Sequence, residues 1–224
     1  MTPNRSSAVM QQRREPHDSL DDFPTPPWAT RALCEWLIRQ GEDLRAFTCR
    51  EPAANRGHMV RPLAEYFAQV EASDVHDYGA GFPVRDYLFG PVDRVHYTIT
   101  NPPFQLAEQF IARASESSEF GFAMLVRTAF LESTGRHARL FTVNPPSHVL
   151  QFTERVVMHK GRLAPEGSTA TSYCWLVWLD GGADGSDCRL EWIAPCRKRL
   201  ERAGDYPASA PQPASSAAPE GALL

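Results

Sequence analysis

Apolar positions recur along this chain with two periods, one near 3.6 residues and one of two, and the order of those periods sets the expected fold. Ala29, Ala32, Leu33, Trp36 and Leu37 stand at i, i+3, i+4, i+7 and i+8, the stripe of an amphipathic helix whose first turn suits Pro26 and Pro27. Met59, Val60, Leu63, Ala64 and Phe67 form a second stripe, and Leu106, Ala107, Phe110, Ile111 and Ala114 a third. The segment RAFTCRE (45–51) predicts a first strand, weak at its charged ends, and QVEASD (69–74) a short second one. VHYTIT (95–100) is a clear strand and FGFAMLV (120–126) a buried one, followed by a helix over RHARLFTV (136–143). HVLQFTERVVM (148–158) and SYCWLVWLD (172–180) predict two more strands, with CRLEWI (188–193) as a last edge strand. Strand-like and helix-like segments that alternate in this way predict a parallel α/β sheet.

A chain of 224 residues has room for one domain of ordinary size. The expected domain spans 23–202, between a polar, patternless segment (1–22) and a Pro/Ala/Ser-rich one (203–224), both expected to be disordered tails because neither buries enough apolar surface to order itself. With 42% hydrophobic and 22% charged residues the balance is that of a globular protein. No apolar run approaches the roughly 20 residues that span a bilayer, and the first residues lack the apolar core of a signal peptide, so a cytoplasmic protein without membrane contact is expected. The five cysteines (Cys34, Cys49, Cys174, Cys188, Cys196) are odd in number and form no C-x-x-C pair, which predicts reduced thiols and no metal site. A net charge of −4 speaks against indiscriminate coating of nucleic acid, yet the segment 121–165 alone carries +4.

Three segments carry candidate chemistry. Asn101-Pro102-Pro103-Phe104 follows the strand VHYTIT and precedes a helix, at the carboxyl end of a parallel strand where open α/β sheets bind ligands. Asn-Pro also starts turns, and a proline pair also begins helices. Glu51-Pro52-Ala53-Ala54-Asn55-Arg56-Gly57 links the first strand to the next helix, and its small residues allow close approach of backbone to a ligand. Asp74 stands 23 residues after Glu51 at the end of the second strand, the spacing at which an acid accepts hydrogen bonds from ribose hydroxyls; Asp is also a common turn residue.

Taken in order, FPTPPWATRAL (23–33), EPAANRGHM (51–59), ASDV (72–75), VRDYLFGP (84–91), TNPPF (100–104) and ERVVMHKGR with TSYCWLVW (154–178) resemble the small phage-type and bacterial DNA N6-adenine methyltransferases. NPPF is the specific part, matching the amino-methyltransferase signature (D/N/S)PP(Y/F/W). The resemblance implies a Rossmann-like class I methyltransferase fold: a seven-stranded, mostly parallel sheet with helices on both faces and an antiparallel strand seven, which SYCWLVW would supply. It implies S-adenosylmethionine as cofactor. Thr25, Pro26 and Trp28 would contact its methionine end, Glu51, Pro52, Ala53, Asn55 and Gly57 would form its loop, Asp74 would hold the ribose and Asp86 the adenine amino group. The family loop reads E-P-x-x-G-x-G, so Asn55 stands where a glycine is usual; asparagine tolerates positive φ better than other non-glycine residues.

The implied reaction places Asn101, Pro102, Pro103 and Phe104 at the catalytic position, with the Asn101 oxygen and Pro102 carbonyl accepting the amino hydrogens of a flipped adenine and Phe104 stacking on the base. If 148–158 and 172–180 are antiparallel neighbours, the intervening loop emerges at the same sheet end, where His159, Lys160 and Arg162, with Arg155 before them, would meet DNA phosphates; a solvated charged loop is the alternative. RNA adenine or a protein glutamine amide are other substrates that NPPF permits. A degenerate fold that only grips nucleic acid is the reading of another class.

Overall fold

One seven-stranded sheet organises the computed structural model, which describes residues 21–91, 93–179 and 187–206. In chain order the strands are β1 (Thr48–Glu51), β2 (Gln69–Ala72), β3 (Val95–Thr100), β4 (Ser118–Arg127), β5 (His148–Phe152), β6 (Tyr173–Leu179) and β7 (Arg189–Ile193), and in space they run β2-β1-β3-β4-β6-β5-β7. Among these strands β6 alone is reversed, antiparallel to both β4 and β5, while the other pairings are parallel. It is the SYCWLVW segment singled out by resemblance, sixth in chain order and inserted between its two predecessors.

Period-two alternation in the central strands divides the core into two layers. Ala123 and Leu125 of β4, with Tyr173, Trp175 and Val177 of β6, belong to one cluster, whereas Phe122, Met124 and Val126, with Cys174, Leu176 and Trp178, belong to the other. The first layer is covered by α1 (Pro27–Arg39), α2 (Val60–Ala64) and α5 (Arg197–Leu200), the second by α3 (Ala107–Ser117) and the segment after β4 that contains α4 (Thr134–Arg136). Helices thus lie on both faces. Leu33, Trp28 and Trp175 are essentially inaccessible, and burial of each such side chain stabilises by roughly 1.5–3 kcal/mol or more. Gly121 is required in β4 because a Cβ there would lie 2.6 Å from the Trp178 carbonyl oxygen.

The α1 stripe also buries Arg31, which pairs with Glu65 at 2.8 Å and Asp205 at 2.7 Å and donates to the Leu200 carbonyl. Residues 203–206 therefore belong to the folded body rather than to a tail, as do Asp21 and Asp22; the remainder of the expected tails, 1–20 and 207–224, lies outside the described residues. Arg50, a cation in a buried strand, is offset by Glu71 across the β1–β2 pairing at 2.9 Å.

Three elements differ from expectation. The strand expected over 148–158 stops at Phe152 because the Glu154 carboxylate accepts from the Cys196 and Arg197 amides at 2.6 and 2.7 Å, and Val156, Val157 and Met158 are buried as loop. The helix over 136–143 is a short α4, capped by the Ser133 hydroxyl, that widens into a π turn at His137–Phe141. The second stripe forms only a five-residue α2, although Phe67 still reaches the core. Among the described residues no helix is long and apolar enough to cross a membrane.

Candidate active site

Six strands share a direction, so the loops after β1, β2, β3, β4 and β5 gather at one end of the sheet, and there those after β1, β2 and β3, with Arg127 at the end of β4 and residues 21–25, line a cavity of about 660 Å³. That volume is within the range of small-molecule and cofactor sites. At the end of β1 the Glu51 carboxylate is inaccessible to solvent; its Oε1 accepts from the Ala53 amide at 3.0 Å and from Thr100 Oγ1 at 2.6 Å, while Oε2 has no partner. Burial first, and the Asp74 charge in the same direction, push this carboxyl up to about 8 against the opposing hydrogen bonds from Thr100 and Ala53.

The chain then turns through Asn55, whose φ of 50° makes it the one non-glycine residue with positive φ among the described residues. Its amide donates to Asp74 Oδ2 at 2.8 Å, its Nδ2 donates to Asp22 Oδ1 at 2.7 Å, and its Oδ1 accepts from the Arg56 amide. Asn55 thus holds the turn and adds a tether. Gly57, at φ +79°, is pressed against Phe82, whose ring a Cβ would approach to 2.9 Å. Asn55→Gly is expected to exchange a positive-φ penalty of about 1 kcal/mol for a charge-assisted bond worth about 1.5–3 kcal/mol, a small net loss. Asn55→Ala keeps the penalty, loses the bond, and should cost more; an alanine variant with the wild-type midpoint in urea denaturation would show that the tether contributes nothing.

Asn101, directly after β3, is held by its amide nitrogen, which donates to the Phe23 carbonyl at 3.0 Å and to Thr25 Oγ1 at 3.1 Å. Its Oδ1 is buried and has no partner. Pro103 and Phe104 line the cavity with it, Pro102 sits behind them, and the Phe104 amide donates to Asp21 Oδ2 at 2.5 Å. Phe23 approaches Phe104 with ring centroids 5.5 Å apart.

The segment Asp21–Thr25 crosses the cavity and connects its parts. Besides Asn55, Asp22 binds the Arg56 guanidinium at 2.9 Å, and its carbonyl accepts from the Gly161 amide at 2.8 Å. Asp21, Asp22 and Arg127 were not singled out in the sequence; their contacts join residues 23 or more positions apart, and no local pattern announces them. His58 also lines the cavity, and burial together with Arg61 and Arg56 lowers it to about 4, leaving a neutral ring near pH 7.

Of the residues expected around a cofactor, Thr25, Pro52, Ala53, Asn55, Asp74 and Asp86 line the cavity, and Glu51 lies one hydrogen bond behind Ala53. Asp74 Oδ1 accepts from the His76 amide and Asp86 Oδ1 from the Leu88 amide. Pro26, Trp28 and Gly57 do not reach the wall: Trp28 is turned into the core, edge-on to Phe152 at 5.5 Å, because it belongs to the buried stripe of α1, and Gly57 is pressed against Phe82. Because β5 and β6 are antiparallel, the loop between them emerges at the cavity end of the sheet. In it Arg155, Lys160 and Arg162 are exposed and His159 is half-buried, its Nε2 near the Glu166 carbonyl; none of the four lines the cavity. The described residues contain no cluster of three His, Cys, Asp or Glu able to hold a metal.

The sequence matches no family model and no curated protein. The fold does have solved counterparts. A type I restriction-modification methyltransferase subunit from Streptococcus thermophilus superposes with a TM-score of 0.58 at 10% identity, over 83% of this chain and 50% of that one. A protein from Listeria monocytogenes assigned as a class I S-adenosylmethionine-dependent methyltransferase gives 0.56 at 12% identity, over 82% and 68%. One from Pyrococcus horikoshii assigned as an RNA methyltransferase gives 0.54 at 16% identity, over 77% and 96%. The chain has the Rossmann-like fold of class I methyltransferases.

Proposed function

We propose that this chain is an S-adenosylmethionine-dependent methyltransferase that modifies an exocyclic amino nitrogen, adenine N6 in DNA. The observation that carries the reading is Asn101: its nitrogen is anchored by Phe23 and Thr25, so its oxygen is left as a buried, unpartnered acceptor at the cavity beside Phe104. An acceptor oriented in advance costs no reorganisation when it is used.

The residues present also fit the cofactor. The unpartnered Glu51 Oε2 suits an ammonium, the small Ala53 and Ala54 leave room beside it, and Asp74 and Asp86 suit hydroxyl and amino donors. When bound, S-adenosylmethionine supplies an electrophilic methyl group. The adenine nitrogen is a poor nucleophile because its lone pair is delocalised into the ring. Asn101 Oδ1 and the Pro102 carbonyl accept its two hydrogens, favour a pyramidal nitrogen and turn the lone pair toward the methyl donor. Proline brings no N–H of its own and a fixed φ, so the acceptor pair is rigid. A general base is unnecessary, since the methylated amino cation is strongly acidic and releases its proton to Asn101 Oδ1 or to water.

Incubation with labelled S-adenosylmethionine and unmethylated DNA, RNA or protein, followed by mass spectrometry of the hydrolysates, tests the reading. Label in N6-methyladenine from DNA is the expected result; label only in RNA or in glutamine would reassign the substrate, and none would leave a binding module. Because a paired adenine must leave the stack, Phe104→Ala is expected to weaken DNA binding by roughly 1–3 kcal/mol, the usual worth of base stacking. Lys160→Ala with Arg162→Ala should instead weaken binding to all sequences and flatten its salt dependence. Titrations of both variants against labelled duplex at several salt concentrations separate the two contributions, and a Phe104 variant equal to wild type would remove the base from that ring.

A further inference from the structure

Arg127 ends β4 at the cavity wall, exposed, with its guanidinium carbon 3.8 Å from the centre of the Phe104 ring and 5.7 Å from that of Phe23. It is a cross-strand neighbour of Tyr173, whose hydroxyl it reaches. Ion pairs among the described residues occupy other arginines, including Arg31, Arg50 and Arg56, and none involves Arg127. A planar cation therefore lies on the face of the aromatic ring that the proposed reaction requires for a planar base.

Both cannot hold one face of Phe104 at the same time. A guanidinium at 3.8 Å is in van der Waals contact with the ring, which leaves no layer for a base between them. Entry of a base on this side displaces Arg127, and a displaced arginine at the mouth of a nucleic-acid site has a phosphate as its natural partner, through paired N–H donors. Resting on the reading of the site as an adenine methyltransferase, we propose that Arg127 is a positioning residue that covers Phe104 in the free protein and moves to a phosphate next to the extruded nucleotide when the base arrives. The site would then favour a substrate that carries a phosphodiester over a bare nucleoside or a protein amide, which can displace the arginine but offers it no anion.

The two halves of the proposal have effects of opposite sign. With unmethylated plasmid DNA, Arg127→Ala should raise KM about tenfold or more, with the loss falling on KM rather than kcat, and should lower the salt slope of log KM by about one, the contribution of one phosphate contact. With 2′-deoxyadenosine, which has no phosphate, the same variant should bind more tightly than wild type, because the competitor for the ring is gone. Arg127→Lys keeps the charge and should retain the salt slope. An unchanged melting temperature establishes that the variants fold. If Arg127→Ala loses activity on DNA and binds deoxyadenosine more weakly, the arginine merely supports Phe104 and the proposal falls; an unaltered KM and salt slope would also end it. Failure of the wild-type protein to methylate adenine in DNA or RNA is a separate outcome and refutes the function on which the proposal stands.

Discussion

Asn101→Ala is expected to lower kcat by about 10²–10³-fold, roughly 3–4 kcal/mol, with S-adenosylmethionine affinity nearly intact. Removal of a preorganised polar group that acts on the transition state has this magnitude, and the ground state does not depend on it. The substitution also leaves the Phe23 carbonyl and Thr25 Oγ1 without their shared donor, so some loss of stability will accompany it. Asn101→Asp, which keeps an acceptor at the position, separates the two effects and should be more active than the alanine variant. Steady-state kinetics with calorimetric titration of the cofactor decide the matter. Retention of more than about a tenth of wild-type kcat, a deficit under roughly 1.4 kcal/mol, would remove Asn101 from the role given to it.

The second large effect concerns pH. Burial holds the Glu51 carboxyl near 8 in the free protein, so at pH 7 it is mostly protonated. An ammonium against its bare Oε2 favours the ionised form. Cofactor binding should therefore release close to one proton, and affinity should rise up to tenfold per unit between pH 6 and about 7.5, above which the cofactor's own amino group begins to deprotonate. Calorimetry in buffers of different ionisation enthalpy measures the proton directly. Glu51→Gln should abolish both the release and the slope, and a flat pH profile for the wild type would place the ammonium elsewhere. Folding follows the same linkage: because the folded value exceeds the ordinary 4.5, the stabilisation is fully present below 4.5 and is lost as pH rises through about 8. The glutamine variant should accordingly gain on wild type in melting temperature between pH 5 and pH 9.

Much of the frame was legible because it depends on local period. The α1 stripe, the strand VHYTIT followed by NPPF, and the apolar run of SYCWLVW are each legible from neighbours in sequence, and each element is found where expected. Asn55 was legible for a steric reason, since a turn built for glycine leaves asparagine the least costly substitute. The misreadings arise where distant groups compete with local pattern. TERVVM reads as strand by composition, but the Glu154 carboxylate is committed to amides more than forty positions away. Trp28 stands three residues after Thr25 in the sequence, yet the helical repeat rather than proximity decides which of them faces the cavity. Asp22 and Arg127 carry no signature, because their importance lies in what the fold brings against them.

The insertion of β6 between β4 and β5 has a consequence for synthesis on the ribosome. Within the sheet β5 is bonded only to β6 and β7, both of which follow it in the chain. Until residues 173–179 emerge, β5 has no native neighbour, and Val149 and Leu150 have no sheet to pack into. The half of the molecule that carries β1 and β3, with Glu51 and Asn101, can be paired long before that. Every residue that lines the cavity, from Asp21 to Arg127, is thus translated ahead of β5 and β6; closure of the sheet waits for one reversed strand made late and threaded into the middle.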